Sequence, residues 1–330
     1  MTATPFIGQP IDCPLCAGSD LIHVGNKDRN GAPLKTDLCR NCGHVFTNPQ
    51  PTEAELNRFY SNEYRSSYKG VLTPKPKHVY RAGLRALERY VRLQPYLEPR
   101  AQVLDVGAGG GEFTYLMTRA GHTVRGIEPN RGYAEFAQSE YAVDIEVGTV
   151  SEAIDHDECW DVITLHHVLE HLANPVSVLR KLAQGLADKG VVIVEVPNVE
   201  ARYHGPQRRF HFAHLHTFSC EGLTLAASKA GLEVRDLCLQ RHTGHINVIL
   251  SKTSDSMIAA DTGIARRIEH HLETDTPIRD RFTTRPYRRL WANLARPIRE
   301  RRALQKLGKR NGARSILDQI YAGVYSDTEI

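Results

Sequence analysis

The chain has 330 residues, of which 41% are hydrophobic and 24% charged, and its formal net charge is +4. This is the composition of an ordinary globular protein that can bury a sizeable core. No apolar run reaches the roughly 18 to 20 residues that a transmembrane helix needs. Residues 1–10 lack the basic and apolar stretches of a secretory signal. We therefore expect a cytoplasmic protein with one large domain and smaller additions.

Two close cysteine pairs stand near the start of the chain, Cys13 with Cys16 and Cys39 with Cys42. A C-x₂-C turn places two thiolates on one metal ion, and two such turns complete a tetrahedral zinc site. Because four protein ligands leave no open position, we predict a structural zinc module over residues 1–48. A pair of redox dithiols is the alternative. We expect the solitary cysteines to be buried apolar residues: Cys159, Cys220 and Cys238.

Residues 49–97 read as a helical linker or lid. A helix can begin at Pro51 and continue past Tyr68, and the prolines of residues 73–77 interrupt it. Residues 78–97 then carry apolar side chains at helical spacing, which predicts an amphipathic helix.

From residue 98 to about 254 short Val- and Ile-rich runs alternate with helical patterns, which predicts a doubly wound, mostly parallel α/β sheet. Six runs are candidate strands, the last two joined through Gly244 as a closing pair: 101–106, 123–127, 160–165, 190–196, 232–239 and 246–252.

The segment from Val103 to Phe113 runs from a predicted strand through a glycine-rich turn into a helix. Glycines let the backbone adopt positive φ angles and approach a ligand closely. A dinucleotide fingerprint would need glycine at position 112, where the chain has Glu112. No Gly-Lys-Ser/Thr follows the turn, which excludes a P-loop.

The spacing Asp105-x-Gly107-x-Gly109-x-Gly111, followed by Glu128 at the end of the next strand, resembles motif I of class I S-adenosylmethionine (SAM)-dependent methyltransferases. The resemblance covers residues 98–252 and implies that SAM binds here, with Glu128 on the ribose hydroxyls. Another α/β nucleotide-binding fold is the alternative. The implied cofactor-binding residues are Asp105, Gly107, Gly109, Gly111, Glu128, Pro129, Thr149, Val150 and His166.

The segment His166–His171 follows the predicted strand at 160–165, where this family binds its acceptor. His167, Glu170 and His171 would share one face of a helix. They could form a hydrogen-bonded helix start, act as base or orient the acceptor, or hold a second metal ion. The last option resembles ubiquinone-type and small-RNA 2′-O-methyltransferases.

A histidine-rich stretch follows the predicted strand at 190–196, and Ser219 is a helix N-cap candidate at its end. A segment of this type closes the substrate pocket in the resembling family, which makes His211, His214 and His216 acceptor-site candidates. We favour His214 and His216, because alternate residues of an extended segment share a face. Each histidine alone can equally be structural. Tyr64 and Tyr68 are candidates to reach over the pocket from the linker.

Beyond residue 254 the chain is helix-compatible and basic, and from Arg266 to Arg314 basic residues outnumber acidic ones by 15 to 5. The basic side chains of such a tail either form a solvent-exposed surface, or they bind an acidic partner, an anionic membrane surface or a phosphate-bearing substrate. Four apolar residues could dock one of its helices on the main domain or on the second subunit of a homodimer: Leu290, Trp291, Leu294 and Ile298.

A zinc module before a SAM domain resembles the sugar and natural-product methyltransferases. We therefore predict O-methylation of a sugar, glycan-linked or natural-product hydroxyl, with a histidine as general base. The alternatives are N- or C-methylation of a nucleotide-activated sugar, and RNA modification through the basic tail. A non-enzymatic SAM-binding scaffold is a further alternative.

Overall fold

The computed structural model describes residues 7–52, 55–56, 74–150, 158–203, 205–254, 258–307 and 312–325. The strands are β1 Leu21–Lys27, β2 Pro33–Cys39, β3 Val45–Thr47, β4 Gln102–Val106, β5 Thr123–Glu128, β6 Ile145–Val147, β7 Trp160–His166, β8 Leu186–Val196, β9 His216–Thr217, β10 Leu232–Leu239 and β11 Ile246–Lys252. The helices are α1 Pro76–Leu93, α2 Glu112–Arg119, α3 Arg131–Tyr141, α4 Pro175–Gln184, α5 Cys220–Lys229, α6 Thr262–Thr274, α7 Pro277–Arg281, α8 Arg285–Lys306 and α9 Ala313–Tyr325.

Seven strands form the large sheet, in the order β10-β11-β8-β7-β4-β5-β6. β4, β5 and β6 pair in parallel, and β10 pairs with β11 antiparallel as the predicted closing pair. The predicted mostly parallel α/β fold is confirmed. The sequence patterns placed the six longer strands of this sheet within a few residues, whereas the three-residue β6 is too short to leave a periodic pattern of its own.

The chain folds into two compact units, each assembled from three stretches, whereas the segments predicted from the sequence run continuously. The first unit comprises Met1–Ser61, Leu165–Gln184 and Val192–Leu290, and the second comprises Asn62–Thr164, Gly185–Val191 and Trp291–Ile330.

In the first unit the cysteine-rich segment forms a second sheet, of order β1-β2-β3-β9. β9 comes from the segment after β8, and it pairs with β3 through Val45 opposite Thr217 and Phe46 opposite His216. α6 covers this sheet, and Ile268 and Ala265 are buried against Leu38. The sheet thus incorporates elements that lie far away along the chain, which its local sequence does not indicate.

In the second unit the C-terminal helix α9 packs into the core. Leu317 and Tyr321 are fully buried. The Tyr321 hydroxyl donates to the carbonyl of Glu112, and the Tyr115 hydroxyl donates to Asp318. Gly83 of α1 gives α9 room, because a Cβ there would lie 2.7 Å from Cδ2 of Leu317. α9 is therefore an integral part of this unit and not a solvated tail.

Other parts of the C-terminal region expose apolar side chains. Trp291 is 72% exposed, and the other members of the predicted docking stripe on α8 are more than half exposed. Cys159 is also exposed, and Cys220 and Cys238 are half-buried, so the prediction of three buried cysteines is wrong. Across the described part of the chain, no helix combines the length and the apolar character needed to cross a bilayer.

Candidate active site

The glycine-rich turn joins β4 to α2 in the second unit. Gly107, Gly109 and Gly111 have φ angles of 73°, 57° and 82°, in the left-handed region that favours glycine. A Cβ on Gly111 would lie 2.6 Å from Cβ of Ala137, so the helix that follows also requires a glycine there. A Cβ on Gly109 would meet nothing within 4 Å. The space over Gly109 is thus open to a ligand.

Glu128 ends β5, the strand next to β4. Its Oε2 accepts the N–H of Gly109 at 2.8 Å, and its Oε1 accepts the N–H of Asn130 at 2.8 Å. Burial raises the pKa of Glu128 to about 7, although these two hydrogen bonds lower it. Because each carboxylate oxygen has two lone pairs, both can still accept a hydrogen bond from a ligand hydroxyl.

Asp105 lies on β4, and its contribution to the cofactor site stays a prediction. It is buried, Oδ1 accepts the Thr164 hydroxyl at 2.7 Å, and Oδ2 accepts the Thr114 hydroxyl at 2.8 Å. Burial raises its pKa, and the two hydroxyls act against that shift. Asp105 therefore ties β4 to β7 and α2 and positions the turn.

The remaining cofactor candidates differ in accessibility. Pro129 and Thr149 are exposed, Val150 is buried, and His166 at the end of β7 is half-buried. Contacts of Thr149 and Val150 with an adenine ring stay a prediction. Tyr64 and Tyr68 lie outside the described residues.

In the first unit the segment after β7 is a 3₁₀ turn over Leu169–His171, so the predicted helix face is wrong. His167 adopts a φ of 59°, which is uncommon for a residue with a side chain. This conformation points its ring at two buried carboxylates. Nδ1 lies 3.2 Å from Oε1 of Glu170, and Nε2 lies 2.9 Å from Oε1 of Glu195. Burial disfavours the imidazolium, yet the two carboxylates raise the pKa of His167 to about 9.

Glu170, His171 and His214 form a second group around the same carboxylate. One donor atom from each lies within 4.8 Å of the others. His171 Nδ1 donates to the carbonyl of Ala213 at 2.7 Å. Burial, followed by the charge of His171, holds the pKa of His214 well below its ordinary value. Although burial opposes it, the hydrogen bond from His167 and the neighbouring imidazoles lower the pKa of Glu170 to about 2. The structure thus joins a buried carboxylate to a neutral imidazole.

His216 does not share an open face with His214. It is fully buried, its Nε2 lies 2.9 Å from the carbonyl of Leu172, and its Nδ1 lies 3.0 Å from Nε2 of His44. A carbonyl only accepts, so Nε2 carries the proton and Nδ1 accepts from His44. Both ring nitrogens are therefore engaged, and His216 joins β9 to β3.

His211 is also buried, and its Nδ1 accepts the N–H of Ala213 at 3.2 Å. Burial lowers the pKa of His211 to about 4. This histidine shapes the loop that carries His214.

Two residues of this region were missed at the level of sequence, Glu195 on β8 and His245 before β11. Nδ1 of His245 lies 4.0 Å from Oε1 of Glu195, and its ring meets that of His167 edge to face at 4.7 Å. The sequence did contain one signal for this group, because Glu195 lies inside a run of Val and Ile. An acid buried in such a strand needs hydrogen-bond or ionic partners.

The four paired cysteines converge as predicted. The Sγ atoms of Cys13 and Cys42, and those of Cys16 and Cys39, are 3.5 Å apart, and all four lie within 4.8 Å of one another. Zinc with Zn–S bonds of about 2.3 Å requires sulfur atoms about 3.8 Å apart in a tetrahedron. The cluster has that size and donor set.

Comparison with known proteins agrees with this architecture. Residues 78–237 match the family model described as a methyltransferase domain. The ubiquinone biosynthesis O-methyltransferase of Azorhizobium caulinodans is 32% identical over 102 residues, 29% of this chain and 40% of that protein. Its counterpart in Citrobacter koseri is 37% identical over 103 residues, 29% of this chain and 43% of that protein. The chain thus spans less than half the length of these curated relatives.

Among solved structures, the 1,6-didemethyltoxoflavin-N1-methyltransferase of Burkholderia thailandensis, with S-adenosylhomocysteine bound, is similar at 19% identity. The TM-score is 0.49, over 64% of this chain and 96% of that one. A SAM-dependent methyltransferase of Methanosarcina mazei has 15% identity and a TM-score of 0.44, over 50% of this chain and 99% of that one. Residues 78–237 of this chain thus carry a methyltransferase domain.

Proposed function

We propose that this chain transfers a methyl group from SAM to a hydroxyl of a small molecule, a sugar or another natural product. The names of the curated relatives support an oxygen acceptor. The observation that carries the proposal is the group formed by His214, His171 and buried Glu170, because O-methylation of a weakly acidic hydroxyl needs a base.

The second unit supplies the cofactor site of this proposal. The open backbone at Gly109 lets the ligand approach, and Glu128 accepts hydrogen bonds from the ribose hydroxyls. Thr149 and Val150 border the adenine. SAM supplies a methyl group that is already activated by its sulfonium, so the protein chiefly has to align the reactants and remove one proton.

His214 is the general base in this mechanism. Its low pKa keeps the imidazole neutral, with a lone pair free to accept the proton of the acceptor hydroxyl as that oxygen attacks. The carboxylate of Glu170 stabilises the imidazolium that forms, as the acid of a catalytic triad does. His171 is a positioning residue that the carbonyl of Ala213 holds in place.

A second candidate mechanism places a divalent cation on Glu170, His171 and His214. Because Nδ1 of His171 donates to Ala213, Nε2 is the ring nitrogen left for a cation, and Oε1 of Glu170 lies 4.0 Å from it. Oε2 of Glu170 is buried and has no hydrogen-bond partner among the described residues. Acceptors that converge in this way suit a cation, which would lower the pKa of a bound hydroxyl.

We also propose that the four cysteines hold a structural zinc ion. The size and donor set of the cluster support this, and four thiolates leave no position for a substrate.

A screen with labelled SAM tests the proposed reaction. Sugars, nucleotide sugars, phenols and RNA serve as acceptors, and mass spectrometry identifies the methylated atom. We expect an O-methyl product, and a loss of turnover of about 100-fold or more in His214→Ala with unchanged SAM affinity. The exposed His242 offers the matched control, His242→Ala. Methylated nitrogen, carbon or RNA, or wild-type turnover in His214→Ala, would contradict the proposal. Loss of turnover on chelation, with the cysteine-bound zinc retained, would favour the cation mechanism.

A further inference from the structure

The first unit contains a group of side chains that the proposed mechanism does not use. His167 directly follows β7, Glu195 lies on β8, and His245 directly precedes β11. One donor atom from each lies within 4.8 Å of the others. The group consists of two imidazoles and one carboxylate, a donor set that binds divalent transition metals.

The buried carboxylate of this group pairs with His167, and a metal ion would take the place of the proton that the two side chains share. Glu195 is only 1% exposed, and a buried carboxylate is costly unless a cation or several hydrogen bonds compensate it. Nε2 of His167 lies 2.9 Å from Oε1 of Glu195, and Nδ1 of His245 lies 4.0 Å from the same oxygen. With one donor atom of each residue within 4.8 Å of the others, a single cation could contact all three after small side-chain movements.

The second nitrogen of His167 adds an independent observation. Its Nδ1 donates to Oε1 of Glu170 at 3.2 Å, which leaves Nε2 as the atom that faces Glu195. Metal-binding histidines nearly always donate their other ring N–H to a carboxylate or carbonyl, which fixes the tautomer and the ring orientation. Glu170 occupies this supporting position.

The backbone holds the three donors in place. The N–H of His167 donates to the carbonyl of Glu195 at 2.8 Å, and the left-handed φ of His167 turns its ring toward the carboxylate. The N–H of His245 donates to the Thr243 hydroxyl at 3.2 Å, in the turn between β10 and β11. The side chains of His167 and His245 are 31% and 19% exposed, so solvent can deliver an ion.

We propose that His167, Glu195 and His245 bind one divalent transition-metal ion, with Glu170 as the carboxylate that orients His167. Three protein donors leave coordination positions that water or an oxygen-bearing molecule can fill. This centre is distinct from the cysteine cluster and from the group of His171 and His214.

Metal stoichiometry tests the proposal on the full chain. Equilibrium dialysis against Zn²⁺ and against Co²⁺, followed by metal analysis, should find an equivalent of metal beyond the one that the cysteines bind. In His245→Ala we expect this additional equivalent to disappear, and the cysteine-bound metal to remain. His242→Ala, an exposed histidine in the same hairpin, should bind as the wild type does. Glu170→Gln should weaken the affinity for the additional ion by about 10- to 100-fold.

The variants also separate this site from its neighbour. His214→Ala should retain the additional equivalent, and loss of the ion there but not in His245→Ala would overturn the proposal. The absence of any additional equivalent in the folded wild type would overturn it too, because the cluster is then an ion pair between His167 and the carboxylates. Metal content is read without turnover, so this result is independent of the proposed methyl transfer.

Discussion

The backbone N–H of Gly109 donates a hydrogen bond to Oε2 of Glu128, 2.8 Å away. This contact joins the glycine-rich turn after β4 to the end of β5, the neighbouring parallel strand. The turn and the carboxylate are therefore held together before any ligand binds. Such preorganisation lowers the cost of ordering the site on binding.

Glu128→Ala should weaken SAM binding by about tenfold or more, because a charge-assisted hydrogen bond is worth roughly 1.5 to 3 kcal/mol. Isothermal titration calorimetry measures the affinity, and circular dichroism checks that the fold is retained. Glu158→Ala is a control at a partly exposed carboxylate that pairs with Arg125. Equal affinities of the wild type and Glu128→Ala would remove Glu128 from the cofactor site.

SAM affinity should increase with pH through about pH 7. Burial raises the pKa of Glu128 to about 7, so the carboxyl group is protonated below that pH and ionised above it. The ionised form accepts hydrogen bonds from hydroxyls. The charge of buried Asp105 also raises the pKa of Glu128, and two threonine hydroxyls hold Asp105 in place. Affinities at pH 6 and pH 8 should differ by up to about tenfold in the wild type. In Glu128→Gln the difference should vanish, and its persistence would assign the pH dependence to another group.

Thr164→Val should destabilise the second unit by about 1 to 3 kcal/mol, because it leaves Oδ1 of buried Asp105 without its hydroxyl donor. Urea denaturation measures the free energy of unfolding. Thr118→Val is the matched control, since this exposed hydroxyl bonds only within its own helix and its loss should cost less than about 0.5 kcal/mol. Equal stabilities of the two variants would mean that Asp105 does not brace the turn.

Leu317→Ala should destabilise the protein by about 2 to 5 kcal/mol, because Leu317 of α9 is fully buried and the substitution leaves a cavity. Leu290→Ala makes the same change on α8, where the side chain is 57% exposed, and should cost less than about 0.5 kcal/mol. Thermal and urea unfolding of both variants provide the comparison. A neutral Leu317→Ala would show that α9 adds no stability.

Removal of one cysteine ligand should unfold the small sheet. Cys39→Ser leaves three thiolates for zinc, so the equivalent of metal that the cysteines bind should be lost. The melting temperature should fall as well, since this sheet and α6 share one core. Cys159→Ser, at an exposed cysteine, should retain both metal and stability. A Cys39→Ser protein with full metal content would exclude the four-cysteine site.

Much of this architecture is local and could be predicted from the sequence. Strands rich in Val and Ile, a turn with glycines at 107, 109 and 111, and an acid at the end of the next strand depend on neighbours within a few residues. The two C-x₂-C turns are local in the same way. Adjacent parallel strands end at one edge of a sheet, so the meeting of Gly109 and Glu128 follows once the fold is known.

The histidines could be counted in the sequence but not assigned. His216 and His214 are two residues apart, yet the first pairs with His44 and the second lies beside Glu170. That difference depends on β3, which pairs with β9 across more than 160 residues of chain. The helical spacing of His167 and His171 predicted that they share one helix face. His167 instead has a positive φ, so its side chain does not point in the direction that a helix would give it.

The sequence by itself determined the methyltransferase sheet, the glycine turn with its acid, and the cysteine cluster. Each of them depends on short-range patterns, and the order of the strands in this fold then brings the turn and the acid together. Only the tertiary structure brought Glu195 and His245 to His167, and α9 onto α1. Contacts of this kind depend on how distant segments pack, and a solitary buried acid or histidine does not specify its partner in the sequence.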